Sequence, residues 1–448
     1  MLIYTLLFIC CTFSANAQQD ANIKSGPMVT HADMRQVTIW VQMSKTSNVS
    51  IQYAPLDKSI SPKMSQVYQS DAKNNDCLHI VLDSIEQGKR YAYDVFVNGK
   101  KSVFSYPLEF SAPPLWQWRS DPPSFNVALG SCFYVNEPPY DRPGKPYGGD
   151  MSILTSILGK KPDLMLWLGD NVYLREADWT SKLGIHRRYE HTRSASQLQP
   201  LLGSVHHYAI WDDHDYGPND SDRGYVLKHD AREVFKQFWG NPTYGNASNE
   251  GIYTTFQWGD VQFFLLDNRF FRSPNKRITG ERTILGQEQK QWLIDNLVSS
   301  NATFKVIAMG GQFINPLARF ENYATFKQER EELIQLIAKE QVQGVFFLSG
   351  DRHYSELSEL PSTESGVSYP LLDFTSSPLT SGTFSSATEQ DKNPLSIPNT
   401  ATYVHNFGML EFGGTSNNRS VSFVMYDKSG NELWRIKKMA EELGVKKK

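Results

Sequence analysis

The chain has 448 residues, 40% of them apolar or aromatic, which is more than one small core uses, so two or more core units are expected. Its formal net charge of -3 argues against nucleic acid as a partner held by bulk electrostatics. An anionic small molecule gripped by a local metal charge stays open, and the sequence is silent on oligomeric state.

Residues 1–17 form an apolar run closed by an Ala-x-Ala pattern at Ala15 and Ala17. This reads as a secretory signal cleaved after Ala17, although no Lys or Arg opens it, and it places the protein in a periplasmic or secreted setting. No other segment is long and apolar enough to span a membrane, so no transmembrane segment is expected in the mature chain. Cleavage would leave two cysteines, Cys77 and Cys132, which excludes a disulfide-rich scaffold but lets the two pair in an oxidising compartment.

From 22 to 112 the chain alternates apolar and polar residues in short runs. Val37–Gln42, Val49–Tyr53, Leu78–Leu82 and Tyr91–Val97 predict an all-β sandwich of immunoglobulin or fibronectin type III kind. Pro113, Pro114 and the polar stretch to Pro123 predict a linker. A second domain over 124–440 alternates strands with helices. Its strands are Phe125–Leu129, Leu164–Leu168, Tyr208–Trp211, Val261–Leu266, Phe304–Met309 and Val345–Leu348, and its helices are Met151–Leu158, Glu288–Val298 and Phe326–Lys339. Phe407–Phe412, Ser420–Tyr426 and Glu432–Ile436 add an antiparallel finish, giving a layered α/β domain.

Three of these strands end in clusters of metal-ligand side chains: Gly169-Asp-Asn-Val-Tyr173, Asp212-Asp-His-Asp215 and Gly350-Asp-Arg-His353. Ligands of open α/β sheets bind at that rim. Hydrolysing a phosphate ester near neutral pH needs a strong nucleophile and compensation for charge on the oxygens. Two metal ions about 4 Å apart supply both. Asp170 fits a carboxylate bridge between them. Tyr173, three residues on, could return to the same ion, and a phenolate favours ferric iron; in an isolated Gly-Asp-x-x-Tyr, a tyrosine that merely packs over the turn is the commoner outcome. The run Trp211–Asp220 is too charged to be buried unless paired or metal-bound, but as a solvated acidic loop it would be bland. His214 could donate a proton to a leaving group or clamp a phosphate, and Asn219 could offer a neutral oxygen. Asp351 and His353 repeat the acid-plus-imidazole theme, where a capped turn is the competing reading.

Gly130-Ser-Cys132, Gly169-Asp-Asn-Val-Tyr173, Trp211-Asp-Asp-His-Asp215 with Asn219, Leu266-Asp-Asn-Arg269, Gly286-Gln-Glu-Gln-Lys-Gln-Trp292 and Ser349-Gly-Asp-Arg-His353 together resemble the ordered motif series of the PhoD-like phosphodiesterase/alkaline phosphatase D family of metallophosphoesterases. The likeness covers nearly the whole chain after residue 17. It implies an α/β metallophosphoesterase-like layered α/β/β/α sandwich behind an all-β fibronectin III/Ig-like domain. It also implies a secreted phosphatase or phosphodiesterase in which a metal-bound hydroxide, not a side chain, attacks phosphorus. By resemblance, Fe(3+) is held by Cys132, Asp170, Tyr173 and His353, and Ca(2+) by Asp170, Asn219 and Asp351, with other divalent metals as substitutes. His214, Asp213 and Arg352 would then face the substrate phosphate. A thiolate ligand at Cys132 argues against its pairing with Cys77.

Two departures from the family pattern stand out. No twin-arginine export signal is present, and Asp215 stands where a Glu is commoner. The substrate implied is a phosphate-ester small molecule or a lipid headgroup, so a phospholipase D-like diesterase is the nearest alternative. A catalytically silent secreted binding protein is the alternative outside enzymes. The pocket is expected to take its shape from loops at 133–150, 174–200 and 361–400, with 376–400 as a lid or a surface loop.

Overall fold

The computed structural model describes residues 22–384 and 392–446. The signal-like residues 1–17, and 385–391 of the Ser376–Thr400 segment, lie outside the described residues.

Alternating burial builds the N-terminal sandwich. Arg90–Val97 points every second side chain inward, and it pairs with Asn48–Pro55, Lys100–Lys101 and Glu109–Ser111, with Lys63–Met64 and Tyr68–Gln69 on the far side of Asn48–Pro55. The facing sheet is three-stranded, in the order Ile23–Ala32, Val37–Met43, Cys77–Leu82. Ile23–Ala32, with glycine and proline in its middle, gave no strand pattern in the sequence. No helix or strand is present between Glu109–Ser111 and Phe125–Gly130.

The second domain contains two six-stranded sheets. In the first, Phe125–Gly130 lies between Leu164–Leu168 and Asn406–Gly413. His206–Ile210 continues one side in parallel, while Ser420–Asp427 and Glu432–Met439 continue the other antiparallel. In the second, Val261–Leu265, Phe304–Ala308, Val345–Ser349 and Leu371–Thr375 run parallel, edged by Thr254–Trp258 and Glu356–Leu360. Strands such as Leu164–Leu168 and Val345–Ser349 are buried at every residue, as expected of parallel strands covered on both faces. The sheets meet face to face through aromatic rings: Phe304 on Phe412 at 5.5 Å and Phe346 on Phe423 at 5.1 Å between ring centres. Helices cover the outer faces. Gly286–Ser299 packs Trp292 near Phe264, and Ser152–Gly159 buries Ile153, Leu154 and Ile157. The molecule is therefore an α/β/β/α sandwich behind an all-β domain.

The two domains are sewn together by buried polar contacts. Gly26 N donates to Gln199 Oε1 at 2.7 Å, Trp40 Nε1 to the Gln237 carbonyl at 2.7 Å and Tyr93 Oη to the Gly203 carbonyl at 2.9 Å. Helix Lys182–Arg193, absent from the sequence reading, lies beside this seam. It has no clean apolar stripe because charged groups do its packing: Arg188 Nε bonds Asp178 at 2.9 Å, and the Arg193 guanidinium lies 3.9 Å from the Trp239 ring centre. That helix occupies the middle of the 174–200 loop expected to shape the pocket.

Candidate metal centre

The loops after three of the parallel strands, Phe125–Gly130, Leu164–Leu168 and Val345–Ser349, turn sharply, and left-handed backbone at non-glycine residues marks the turns. Cys132, Asp170, Asp351 and His353 have φ of 56°, 52°, 66° and 56°. Four such residues from three loops, all at strand ends, is the pattern of backbone strain held at a functional site. Gly169 precedes Asp170 with φ of +93°, and a Cβ there would come within 2.7 Å of the Asp212 Cβ. A Cβ on Gly350 would stand 2.6 Å from the Leu168 carbonyl oxygen. Both motif glycines let the rims of neighbouring strands touch.

The side chains converge on one centre. Ligand atoms of Cys132, Asp170 and His353 lie within 4.8 Å of one another, as do those of Asp170, Asp213 and His214, so Asp170 belongs to both groups. Cys132 Sγ is 3.6 Å from Asp170 Oδ2 and receives the Ser377 hydroxyl at 3.2 Å. Tyr173 packs against Cys132 and Tyr134, with its ring 4.4 Å from that of His214. Asp351 and Arg352 line the same cavity, as does Asn219 at its exposed rim, where the Asn219 amide donates to Asp220 Oδ1 at 2.6 Å. The cavity measures about 760 Å³, and its lining is chiefly polar and charged. Cys132 is free, as is Cys77, which is buried in the N-terminal sandwich.

Electrostatics argue for a cation here. Burial, then the neighbouring Asp213 and Cys132, drive the Asp170 carboxyl well above its usual range. Burial, then Asp351, pushes the Cys132 thiol up to about 12, and burial, then Asp170, carries the Tyr173 phenol well above its usual value. Asp351 rises to about 7 through burial and the proximity of Asp212. Meanwhile Tyr173 Oη and His214 Nδ1 are buried with no hydrogen-bond partner. Thiol, phenol, imidazole and carboxylates that resist ionisation together, and that leave lone pairs unused, suit a metal centre. One hard cation reverses each of these penalties.

Some functional groups were not singled out in the sequence. Asp220 and Glu321 are two of them, and they make a third ligand group with Asp213. Glu321 arrives on the 317–325 loop, which carries no periodicity to flag it. The run Asp212–Asp215 is also not a loop: Asp213–Tyr216 is a helical turn closed by a box in which Asp212 and Asp215 cap each other. Asp215 also accepts Asn171 N at 3.0 Å, bracing the second cluster against the first, and burial lifts its carboxyl to about 8. The remaining motifs are scaffold. Asn268 and Arg269 bond Asp212 Oδ1, Arg269 continues to Glu321 at 2.8 Å, and Gln289 clasps both backbone groups of Asp267 at 2.8 Å. Loops around Asn275–Arg282 and Ala318–Thr325 wall the cavity in place of 174–200. Ser376 to Ser381 runs buried beneath the site, where the backbone N–H groups of Thr380 and Ser381 bond the Cys132 carbonyl.

A family model for PhoD-like phosphatase matches residues 131–423. The chain belongs to the PhoD-like phosphatase family. Residues 20–114 match a domain of unknown function, DUF7800. Alkaline phosphatase D of Bacillus subtilis (strain 168) is 23% identical over 333 residues, which is 63% of this chain and 54% of that protein, so the alignment spans about half the length of this curated relative. Among solved structures, that of PhoD superposes with a TM-score of 0.74 at 18% identity, covering 91% of each chain. A purple acid phosphatase from yellow lupin (Lupinus luteus) seeds gives 0.65 at 13% identity, covering 92% of this chain and 74% of that one. These likenesses establish a shared fold. No helix among the described residues is long and apolar enough to cross a membrane.

Proposed function

We propose that this PhoD-like protein is an exported, metal-dependent hydrolase of phosphomonoesters, phosphodiesters or both. The observation that carries this reading is the sharing of Asp170 between two ligand groups on the wall of a polar cavity that Arg352 also lines. Support for export is the apolar run and Ala-x-Ala pattern of residues 1–17.

In this reading Cys132, Asp170, Tyr173 and His353 hold iron, while Asp170, Asn219 and Asp351 hold calcium, with Asp213 close enough to add an oxygen. Metals bound there lower the pKa of a water and screen charge on the phosphate oxygens. The chain's own groups do the rest. The Arg352 guanidinium lies over the Phe320 ring at 4.4 Å, and Arg352 lines the cavity as a donor for a phosphate oxygen. The Tyr173 ring packs beside His214, centre to centre at 4.4 Å and tilted by 30°. Burial lowers the His214 pKa, with Asp213 beside it working in the opposite direction.

Phosphate release from a chromogenic monoester and diester, by the iron- and calcium-loaded wild type and by Asp170→Ala, tests the assignment. Loss of a shared ligand should lower both rates by more than about 100-fold. The diester to monoester ratio separates a diesterase acting on headgroups from a phosphatase. Absence of turnover in the loaded wild type would leave the silent binding protein as the reading.

A further inference from the structure

The cavity mouth carries aromatic rings that the hydrolytic groups do not use. Phe320 and Phe384 both line the cavity, 50% and 40% exposed, with ring centres 6.1 Å apart and nearly edge to face. Tyr147, 41% exposed, continues the arc on the other side of His353, which stands 6.2 Å from Tyr147 and 6.3 Å from Phe384. Two half-exposed phenylalanines set side by side form a small aromatic patch in an otherwise polar and charged pocket.

Here the backbone holds them out. Phe320 and Glu321 are consecutive residues in the left-handed region, with φ of 47° and 58°. That costly turn is fastened by the Glu321 carboxylate, which pairs with Arg269 at 2.8 Å and Arg272 at 3.2 Å and accepts the Asn275 amide at 2.5 Å. Phe384 is fixed by its own backbone N–H, which donates to the His353 carbonyl at 3.2 Å. Each ring is thus anchored to a residue of the metal centre or its acidic wall, and the Phe320 ring also lies under the Arg352 guanidinium. Preorganised aromatic faces at the cavity mouth, beside an arginine suited to phosphate, fit a flat group carried on the alcohol side of the ester.

Resting on the hydrolase reading above, we propose that Phe320 and Phe384 form a leaving-group subsite for a planar aromatic moiety, so that nucleoside 5′-phosphates are a preferred substrate class. A volume of about 760 Å³ lies within the range that holds a ligand of nucleotide size. A lipid tail would instead need a continuous aliphatic groove, and Ala318 is the sole aliphatic side chain among the described lining residues. In the reaction, a water oxygen bonds to phosphorus as the P–O5′ bond breaks. One proton ends on the 5′-oxygen, leaving nucleoside and inorganic phosphate.

Adenosine 5′-monophosphate and ribose 5-phosphate present the same primary alkoxide as leaving group and differ by the base. The metal-loaded full chain is assayed with both, for phosphate release and for binding by calorimetry, alongside Phe320→Ala, Phe384→Ala and Phe320→Trp. Stacking predicts that the wild type favours the nucleotide by about tenfold or more, in kcat/KM or in Kd. Either alanine variant should bring that ratio towards one, and Phe320→Trp should keep it, which a merely unfolded loop would not do. Equal handling of both ligands by the wild type, or a preference that survives both alanine variants, overturns the subsite. Preferential binding without turnover would sustain the subsite and sink the hydrolase reading. Turnover without preference would do the reverse.

Discussion

Arg269 shows how single residues hold this centre. Its guanidinium is buried, pairs with Asp212 Oδ1 on one side and Glu321 on the other, and thereby ties the second strand-end cluster to the cavity wall. Removing one partner of a buried pair strands the other's charge, so Arg269→Met is expected to cost about 3–5 kcal/mol of folding stability. Urea unfolding of the metal-free protein checks this, and a loss below about 1 kcal/mol would contradict it. Arg269 stood inside a recognisable motif, yet nothing in the sequence told its role from that of a ligand. Asp170, Tyr173, His214, Asp351 and His353 were legible because each follows a buried strand within a short polar cluster. Glu321 and Phe320 were not, since they enter on a loop whose conformation depends on partners far away in the chain.

At the scale of elements, strand His206–Ile210 sits against the N-terminal domain and carries histidines that burial holds neutral. His207 Nδ1 accepts the Trp167 indole N–H at 2.9 Å while its Nε2 faces the Leu201 carbonyl at 3.1 Å, so one neutral tautomer satisfies both contacts. Burial holds His207 down to about 3 and, across the domain seam, His31 down to about 4. Both lie below the ordinary value of about 6.5. The folded state therefore binds fewer protons than the unfolded one. Their contribution to stability is complete above about pH 6.5 and is lost as pH falls from there, towards about 4 for His31 and about 3 for His207. Between those limits two such groups give a slope of at most about 2.7 kcal/mol per pH unit. Unfolding free energies at pH 7 and pH 5 for wild type and His207→Gln measure it: the variant should show a shallower loss, and parallel profiles would count against the account. Two of the elements that the sequence missed share a physical cause. Ile23–Ala32 and Lys182–Arg193 are stabilised by contacts between domains, which no local periodicity encodes.

On the scale of the whole molecule, the β domain and the PhoD-like sandwich share buried seams at Gly26, Trp40 and Tyr93. They should therefore unfold together, as one calorimetric transition. Two well-separated transitions would show that the interface is weaker than its buried hydrogen bonds indicate. The layered order of strands and helices was readable from apolar run lengths and their alternation. The cavity's outer wall was not, because it is assembled from loops after Phe271 and Phe313 that the sheets merely support. The central claim is that the residues around Asp170 form a metal centre that hydrolyses phosphate esters. Its most direct test is phosphoester turnover by purified protein of measured iron and calcium content, before chelation, after it and after metal is returned. The account predicts bound metal, activity that vanishes with the metal and activity restored on reloading. Turnover that persists in metal-free protein would contradict it.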